Sequence, residues 1–189
     1  CRMVSTAREI NDLMPNYVLQ IARNLLHEIK NPVISIFGVA YKGNIDDTRE
    51  SPAFKFIQLA ENEGYTVRCH DPYVREFPHP LMDMVEAAAG SDLIVVLADH
   101  DLFQTIDPAR LRMRTKFVID TRNILDHERW INQGFAVRVL GDGSLVHPVS
   151  LEESIPSMGQ YPTNSARPIP ISLPSSISLL SPDGRERYL

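Results

Sequence analysis

The chain has 189 residues, 43% of them hydrophobic and 23% charged, with a net charge of −5 at neutral pH. That apolar content suffices for one sizeable core, while the acidic balance argues against a nucleic-acid or membrane-surface partner, either of which would need a basic patch. Cys1 and Cys69 form neither a disulfide framework nor a CxxC zinc pair, and no signal peptide or spanning apolar run is seen, so the cytoplasm is the expected compartment.

Residues 1–30 read as a helical lead. Ile10, Leu13, Met14, Tyr17, Val18, Ile21 and Leu25 follow the three-four spacing of one buried stripe, and Pro15 is expected to kink or restart the helix. The stripe is longer than one small sheet should need, so the lead is expected to make a homodimer.

Residues 31–149 alternate strand and helix patterns as parallel βαβ units do. Strands are predicted at 33–38, 66–70, 92–98, 116–120 and 136–140, with helices near 52–62, 81–89, 108–112 and 127–133. Gly64, Gly90 and Gly134 stand where those helices should stop. The predicted fold is α/β, a Rossmann-like parallel sheet of about five strands with flanking helices. From residue 150 the chain turns rich in proline and serine without a sustained period, which reads as a loosely ordered tail.

The loop from Gly38 to Pro52 is the most informative stretch. It carries Lys42, Asp46, Asp47 and Arg49 just beyond the first strand, at the edge where open α/β sheets bind ligands. Ser51 and Pro52 read as the cap and first residue of the next helix. Lys42 is a flexible point charge able to reach a phosphate or sugar hydroxyl, and Arg49 offers a rigid fork for phosphate or carboxylate. Arg49 can alternatively pair with Asp46 or Asp47 to hold the loop. Arg122 lies just past the fourth strand at the same edge, with an ordinary salt bridge to Asp120 or Asp126 as its other reading.

Gly38 and Gly43 stand too far apart, with no third glycine, to form the Gly-x-Gly-x-x-Gly turn, so the sheet is better suited to one nucleotide than to a dinucleotide pyrophosphate. Asp71 after the second strand fits either a ribose-binding acid or, with Pro72 next, a structural cap. Asp99-His100-Asp101 is read as a loop rather than a metal site, because adjacent loop residues point different ways. Alternation along 66–70 puts Cys69 on an apolar face, where a thiol behaves as a small hydrophobe.

The run from Gly38 to Pro52, with His70-Asp71-Pro72-Tyr73-Val74, Asp99-His100-Asp101-Leu102-Phe103, Asp120-Thr121-Arg122-Asn123 and the Ala7 to Asp12 segment with Met14-Pro15, resembles the UDP-glucose/GDP-mannose dehydrogenase family. The likeness is to its C-terminal, nucleotide-sugar-binding domain and to the branch that oxidises UDP-N-acetylhexosamines, and it extends to about Gly143.

The resemblance implies that Tyr41, Lys42 and Arg122 contact the UDP-sugar and that Arg49 faces the NAD side of the cleft. It further implies an NAD-dependent 6-dehydrogenase that makes a uronic acid for polysaccharide, with the catalytic cysteine and the N-terminal NAD-binding domain expected outside this chain. Neither cysteine here has the family's Gly-Gly-x-Cys setting, so no catalytic residue and no metal ligand is assigned, and isolated catalysis is not expected. Three other readings stay open: a stand-alone nucleotide-binding or regulatory module, a UDP-glucose 6-dehydrogenase domain, and a structural role for the helical lead alone.

Overall fold

The computed structural model describes residues 2–141 and 145–146. The expectations for Cys1 and for the tail from residue 150 lie outside the described residues. Helix α1 (Arg2–Leu26) leads into β1 (Val33–Phe37), α2 (Pro52–Asn62), β2 (Thr66–His70), α3 (Met84–Ala88) and β3 (Leu93–Val96). Next come α4 (Asp101–Gln104), a 3-10 turn (Pro108–Arg110), β4 (Phe117–Asp120), α5 (His127–Asn132), β5 (Ala136–Val139) and β6 (Leu145–Val146). The sheet runs in the order β2-β1-β3-β4-β5-β6. Its first five strands are parallel and β6 is antiparallel to β5.

The five predicted strands are all present, and the differences lie at shorter elements. Of the helix predicted near 108–112 only a 3-10 turn at Pro108–Arg110 forms, and the unpredicted α4 and β6 are short enough to carry no period of their own. Strand β3 begins one residue late because Asp92 is a buried anchor. Its carboxylate accepts from the Val33 N–H, 2.9 Å away, and is paired with Arg114.

Alternation along the central strands divides the core into two layers. Ile34, Ile36, Leu93, Val95 and Ile119 pack with Val18, Leu19, Ala22 and Leu26 of α1 and Ala53, Phe56, Ile57 and Ala60 of α2. On the other face Phe37, Ile94, Val96 and Val118 meet Ala87 and Ala88 of α3, Phe103 of α4, and Trp130 and Phe135. Burying each large apolar side chain contributes roughly 1.5–3 kcal/mol, so both faces are needed to hold the sheet. Ser35 sits among the apolar residues with its hydroxyl donating to the Ala87 carbonyl at 2.6 Å.

Helix α1 continues through Pro15 rather than restarting there. The carbonyl that loses its partner to proline belongs to Asn11, which is exposed and can be met by water. Of the expected stripe, Val18 and Ile21 are buried and Met14 and Leu25 half-buried, whereas Ile10, Leu13 and Tyr17 are exposed, with Met3 and Val4 beyond them.

The loops at the carboxyl end of the sheet are tied together by Asp71, immediately after β2. Its fully buried carboxylate accepts from the N–H groups of Val39 and Ala40 at 2.8 and 3.1 Å, of Tyr73 and Val74 at 2.9 and 3.0 Å, and from His100 Nε2 at 3.0 Å. Of the two roles open to Asp71 the structure shows the capping one, since its side chain has no exposed surface and both of its oxygens accept from loop donors. Gly38 takes the sharp turn off β1 at φ +88°, and a Cβ there would stand 2.6 Å from that of Ala98.

Burial alone would raise the Asp71 carboxyl. The His100 hydrogen bond and those from Val74 and Tyr73 outweigh it and hold the group at about 2. A carboxyl depressed on folding stabilises the fold above its unfolded range and loses that contribution as pH falls through its folded value. Asp71→Asn is therefore expected to destabilise the chain by about 2–4 kcal/mol at neutral pH, because an amide NH2 cannot accept from Val39, Ala40 and His100. Denaturant unfolding should show that gap closing between about pH 4 and pH 2. A gap independent of pH would refute the assignment.

Candidate functional site

The strand order reverses at β1, whose neighbours are β2 on one side and β3 on the other. In open α/β sheets the crevice beyond the strand ends at such a point is where ligands bind. Here it is walled by the loop after β1, carrying Tyr41 to Glu50, and by the loop after β3, carrying Leu97 to His100.

Asp99 and His100 of the β3 loop and Asp101 at the start of α4 diverge, and each holds something different. Asp99 Oδ1 accepts from the Gly43 N–H at 3.1 Å and from Arg122 Nη2 at 2.9 Å. His100 is fully buried, accepting from the Asn44 N–H at Nδ1 (2.9 Å) and donating from Nε2 to Asp71. Asp101 exchanges two bonds with Asn44, its own N–H to Asn44 Oδ1 at 3.0 Å and Asn44 Nδ2 to its carboxylate at 2.8 Å. Asn44 lies at φ 62°, a left-handed conformation that these bonds on both its backbone and side chain maintain.

Arg122 is placed by a second buried carboxylate. Asp120, the last residue of β4, accepts from the N–H groups of Arg122 (3.0 Å), Ile124 and Leu125 (both 2.9 Å) and from His127 Nε2 at 3.0 Å. The ion pair that the alternative reading gave to Asp120 or Asp126 is made to Asp99, because the Asp120 carboxylate is consumed by the turn itself. Burial would raise the Asp99 carboxyl, but hydrogen bonds from its own backbone and from Arg122 hold it below its ordinary value.

Lys42 is exposed and has no hydrogen-bond or ion-pair partner among the described residues. It immediately precedes Gly43, whose N–H shares one Asp99 oxygen with Arg122, so its backbone is fixed beside the Arg122–Asp99 pair. Tyr41 is 58% exposed, anchored through its N–H to the Asp47 carbonyl at 2.8 Å.

Arg49 makes the loop pairing that the sequence allowed, to Asp47 rather than Asp46. Its fork meets both Asp47 oxygens, Nε to Oδ1 at 3.0 Å and Nη2 to Oδ2 at 2.7 Å. Those bonds hold the Asp47 carboxyl at about 2, and the Arg49 side chain remains 87% exposed. Tyr41 and Arg49 line an open groove of about 920 Å³ together with Arg8, Asn11 and Asp12 of α1; Lys42 and Arg122 do not. The four predicted residues thus fall in two groups.

Cys69 lies in β2 at 1% exposure, and burial, reinforced by Glu61, pushes its thiol up to about 12. It is not a nucleophile at neutral pH. No group of three or more metal-ligating side chains is arranged for an ion among the described residues. No described helix is long and apolar enough to cross a membrane.

The sequence missed His100 and His127 as organising groups. For His127 the signal was local, an aspartate ending a strand with a histidine seven residues on; His100 is 29 residues from Asp71, and only the sheet order brings the two together.

Residues 35–127 match the model of the UDP-glucose/GDP-mannose dehydrogenase family, UDP binding domain. The UDP-N-acetyl-D-mannosamine dehydrogenase of Methanocaldococcus jannaschii is 44% identical over 147 residues, 75% of this chain and 34% of that protein. The NDP-N-acetyl-D-galactosaminuronic acid dehydrogenase of Ralstonia nicotianae is 38% identical over 134 residues, 68% of this chain and 31% of that protein. Among solved structures, the UDP-D-ManNAc dehydrogenase of Pyrococcus horikoshii superposes with a TM-score of 0.64 at 37% identity, covering 73% of this chain and 33% of that one. The chain spans about a third of the length of the curated relatives it matches. With the crevice loops, the strand order and the matched segment in agreement, this chain belongs to the UDP-glucose/GDP-mannose dehydrogenase family and carries its UDP-binding domain.

Proposed function

We propose that the crevice between the β1 and β3 loops holds the nucleotide end of a UDP-N-acetylhexosamine, with Lys42 and Arg122 on the diphosphate and Tyr41 beside the sugar nucleotide. The observation that carries this reading is the convergence of the Gly43 N–H and the Arg122 guanidinium on Asp99, with unpaired Lys42 next in the chain. Arg122 is held in advance by one of its donors, and its remaining donors are free to meet an anion without first ordering a long side chain.

The whole enzyme would oxidise C6 of the sugar to the uronic acid with NAD, in the cytoplasm, for polysaccharide synthesis. The names of the relatives, UDP-N-acetyl-D-mannosamine dehydrogenases among them, support that substrate class. The fit of NAD to this domain's own β1–α2 connection is poor. Pro52 at the start of α2 has no N–H, and the Ala53 N–H is taken by the Ser51 hydroxyl at 3.2 Å, so donors a pyrophosphate would use are missing. No step is therefore assigned to the cofactor here. Arg49, exposed on the α1 side, remains the residue proposed to approach NAD held elsewhere in the enzyme.

Helix α1 supports a homodimer. Met3, Val4, Ile10, Leu13 and Tyr17 are exposed on a helix whose other half is buried against the sheet.

Calorimetry with UDP should give binding to the full chain, and Lys42→Ala and Arg122→Ala should each weaken it about tenfold, the equivalent of one charge-assisted hydrogen bond. Unchanged affinity in both variants would sink the assignment.

Sedimentation should show a dimer that Leu13→Glu converts to monomer. A wild-type chain that stays monomeric at high concentration removes the α1 proposal.

Mixed with NAD and UDP-N-acetylmannosamine, UDP-N-acetylglucosamine or UDP-glucose, the chain alone should produce no NADH absorbance. Turnover that vanishes in Cys69→Ser would overturn both the poor fit of NAD and the exclusion of Cys69.

A further inference from the structure

His100 lies at the centre of the crevice wall yet faces none of it. Its side chain is fully buried, with the Tyr73 ring tilted against it at 5.0 Å between centroids and Phe103 edge-on at 5.1 Å. Its two nitrogens do opposite things. Nδ1 accepts from the Asn44 N–H, which requires the proton to be on Nε2, and Nε2 donates to Asp71 Oδ2. That same oxygen accepts from the N–H groups of Val39 and Ala40, at the start of the loop that contains Asn44.

Asp71 and His100 therefore grip the segment 39–44 at both ends, and Tyr41, Lys42 and Gly43 lie between the grips. An imidazole is the one side chain that accepts and donates at opposite ends of a rigid ring without carrying charge. Asn44 is left-handed at φ 62°, a region that asparagine tolerates better than most residues, and the His100 bond fixes its amide there.

We propose that His100 is a positioning residue for nucleotide binding, its imidazole presetting the Tyr41-Lys42-Gly43 segment by holding the Asn44 amide while Asp71 holds Val39 and Ala40. The inference rests on the UDP-binding reading of the crevice. It goes beyond that reading in assigning affinity to a buried residue that touches no ligand. A segment ordered before binding costs less to order on binding, so His100 contributes to UDP affinity through the loop.

Two substitutions separate its hydrogen bonds. The amide of His100→Asn falls near Nδ1 and can still accept from Asn44, whereas that of His100→Gln reaches the Nε2 position and can still donate to Asp71. Both lose the ring and its packing on Tyr73 and Phe103, so a difference between them isolates the hydrogen bonds from the cavity.

The test is UDP titration calorimetry on the full chain and both variants, with amide hydrogen exchange of the wild type. His100→Gln should bind UDP about tenfold more weakly than wild type, and His100→Asn within about threefold of it, although both unfold at lower temperature. Equal affinity in wild type and His100→Gln, or equal weakening in both variants, overturns the proposal. Exchange needs no variant. In the nucleotide-free wild type the Asn44 amide should exchange at least about tenfold more slowly than that of Lys42. Protection of Asn44 that develops only after UDP is added would show that the loop is not preset. A wild-type chain that fails to bind UDP rejects the crevice reading itself, a result distinct from normal binding with no effect of His100→Gln.

Discussion

The geometry of the crevice depends on a single buried charge. A carboxylate removed from water is costly unless its lone pairs are occupied, and Asp71 meets that demand with four backbone N–H groups and an imidazole drawn from three separate loops. The requirement works in both directions. The loops satisfy the charge, and the charge dictates where each loop starts. Val39 and Ala40 are pinned as they leave β1, Tyr73 and Val74 are folded into a turn behind β2, and His100 is brought to a fixed ring orientation after β3.

Asp120 repeats the device at the end of β4, where it winds Thr121 to Leu125 into a turn and directs Arg122 back across the sheet edge. Asp99 joins the two arrangements by accepting from both Gly43 and Arg122. Asp71, Asp99 and Asp120 are therefore engaged in holding backbone, imidazole and guanidinium groups, while Lys42 and the open donors of Arg122 can meet an anion. A domain built this way is suited to gripping a charged ligand in one pose. Its one described thiol is buried within β2 with its ionisation suppressed.

The crevice lies at the reversal of strand order, and the groove lined by Tyr41 and Arg49 is shared with α1. Arg49 is held by Asp47 within its own loop, so that loop stays ordered while its guanidinium remains in solvent.

Much of this was determined by the sequence alone. Apolar runs of four or five residues, glycine stops and the Ser51-Pro52 cap are local signals, and they specified five strands, the α2 start and the placing of Tyr41, Lys42, Arg49 and Arg122 on loops at one edge. Cys69 was legible for the same reason, since alternation within a strand assigns faces without any knowledge of neighbours. Tertiary structure decided the rest. That Arg122 meets Asp99 rather than Asp120 or Asp126, that Asp71 is a cap, and that His100 bridges Asn44 to Asp71 all depend on β1 lying between β2 and β3. Helix α1 shows the same limit, because its periodic stripe is uniform in sequence, yet only the half that lies over the sheet is buried. Local pattern states which residues prefer burial or a hydrogen bond; which partner satisfies them is set by the sheet order, which brings together groups that are distant along the chain.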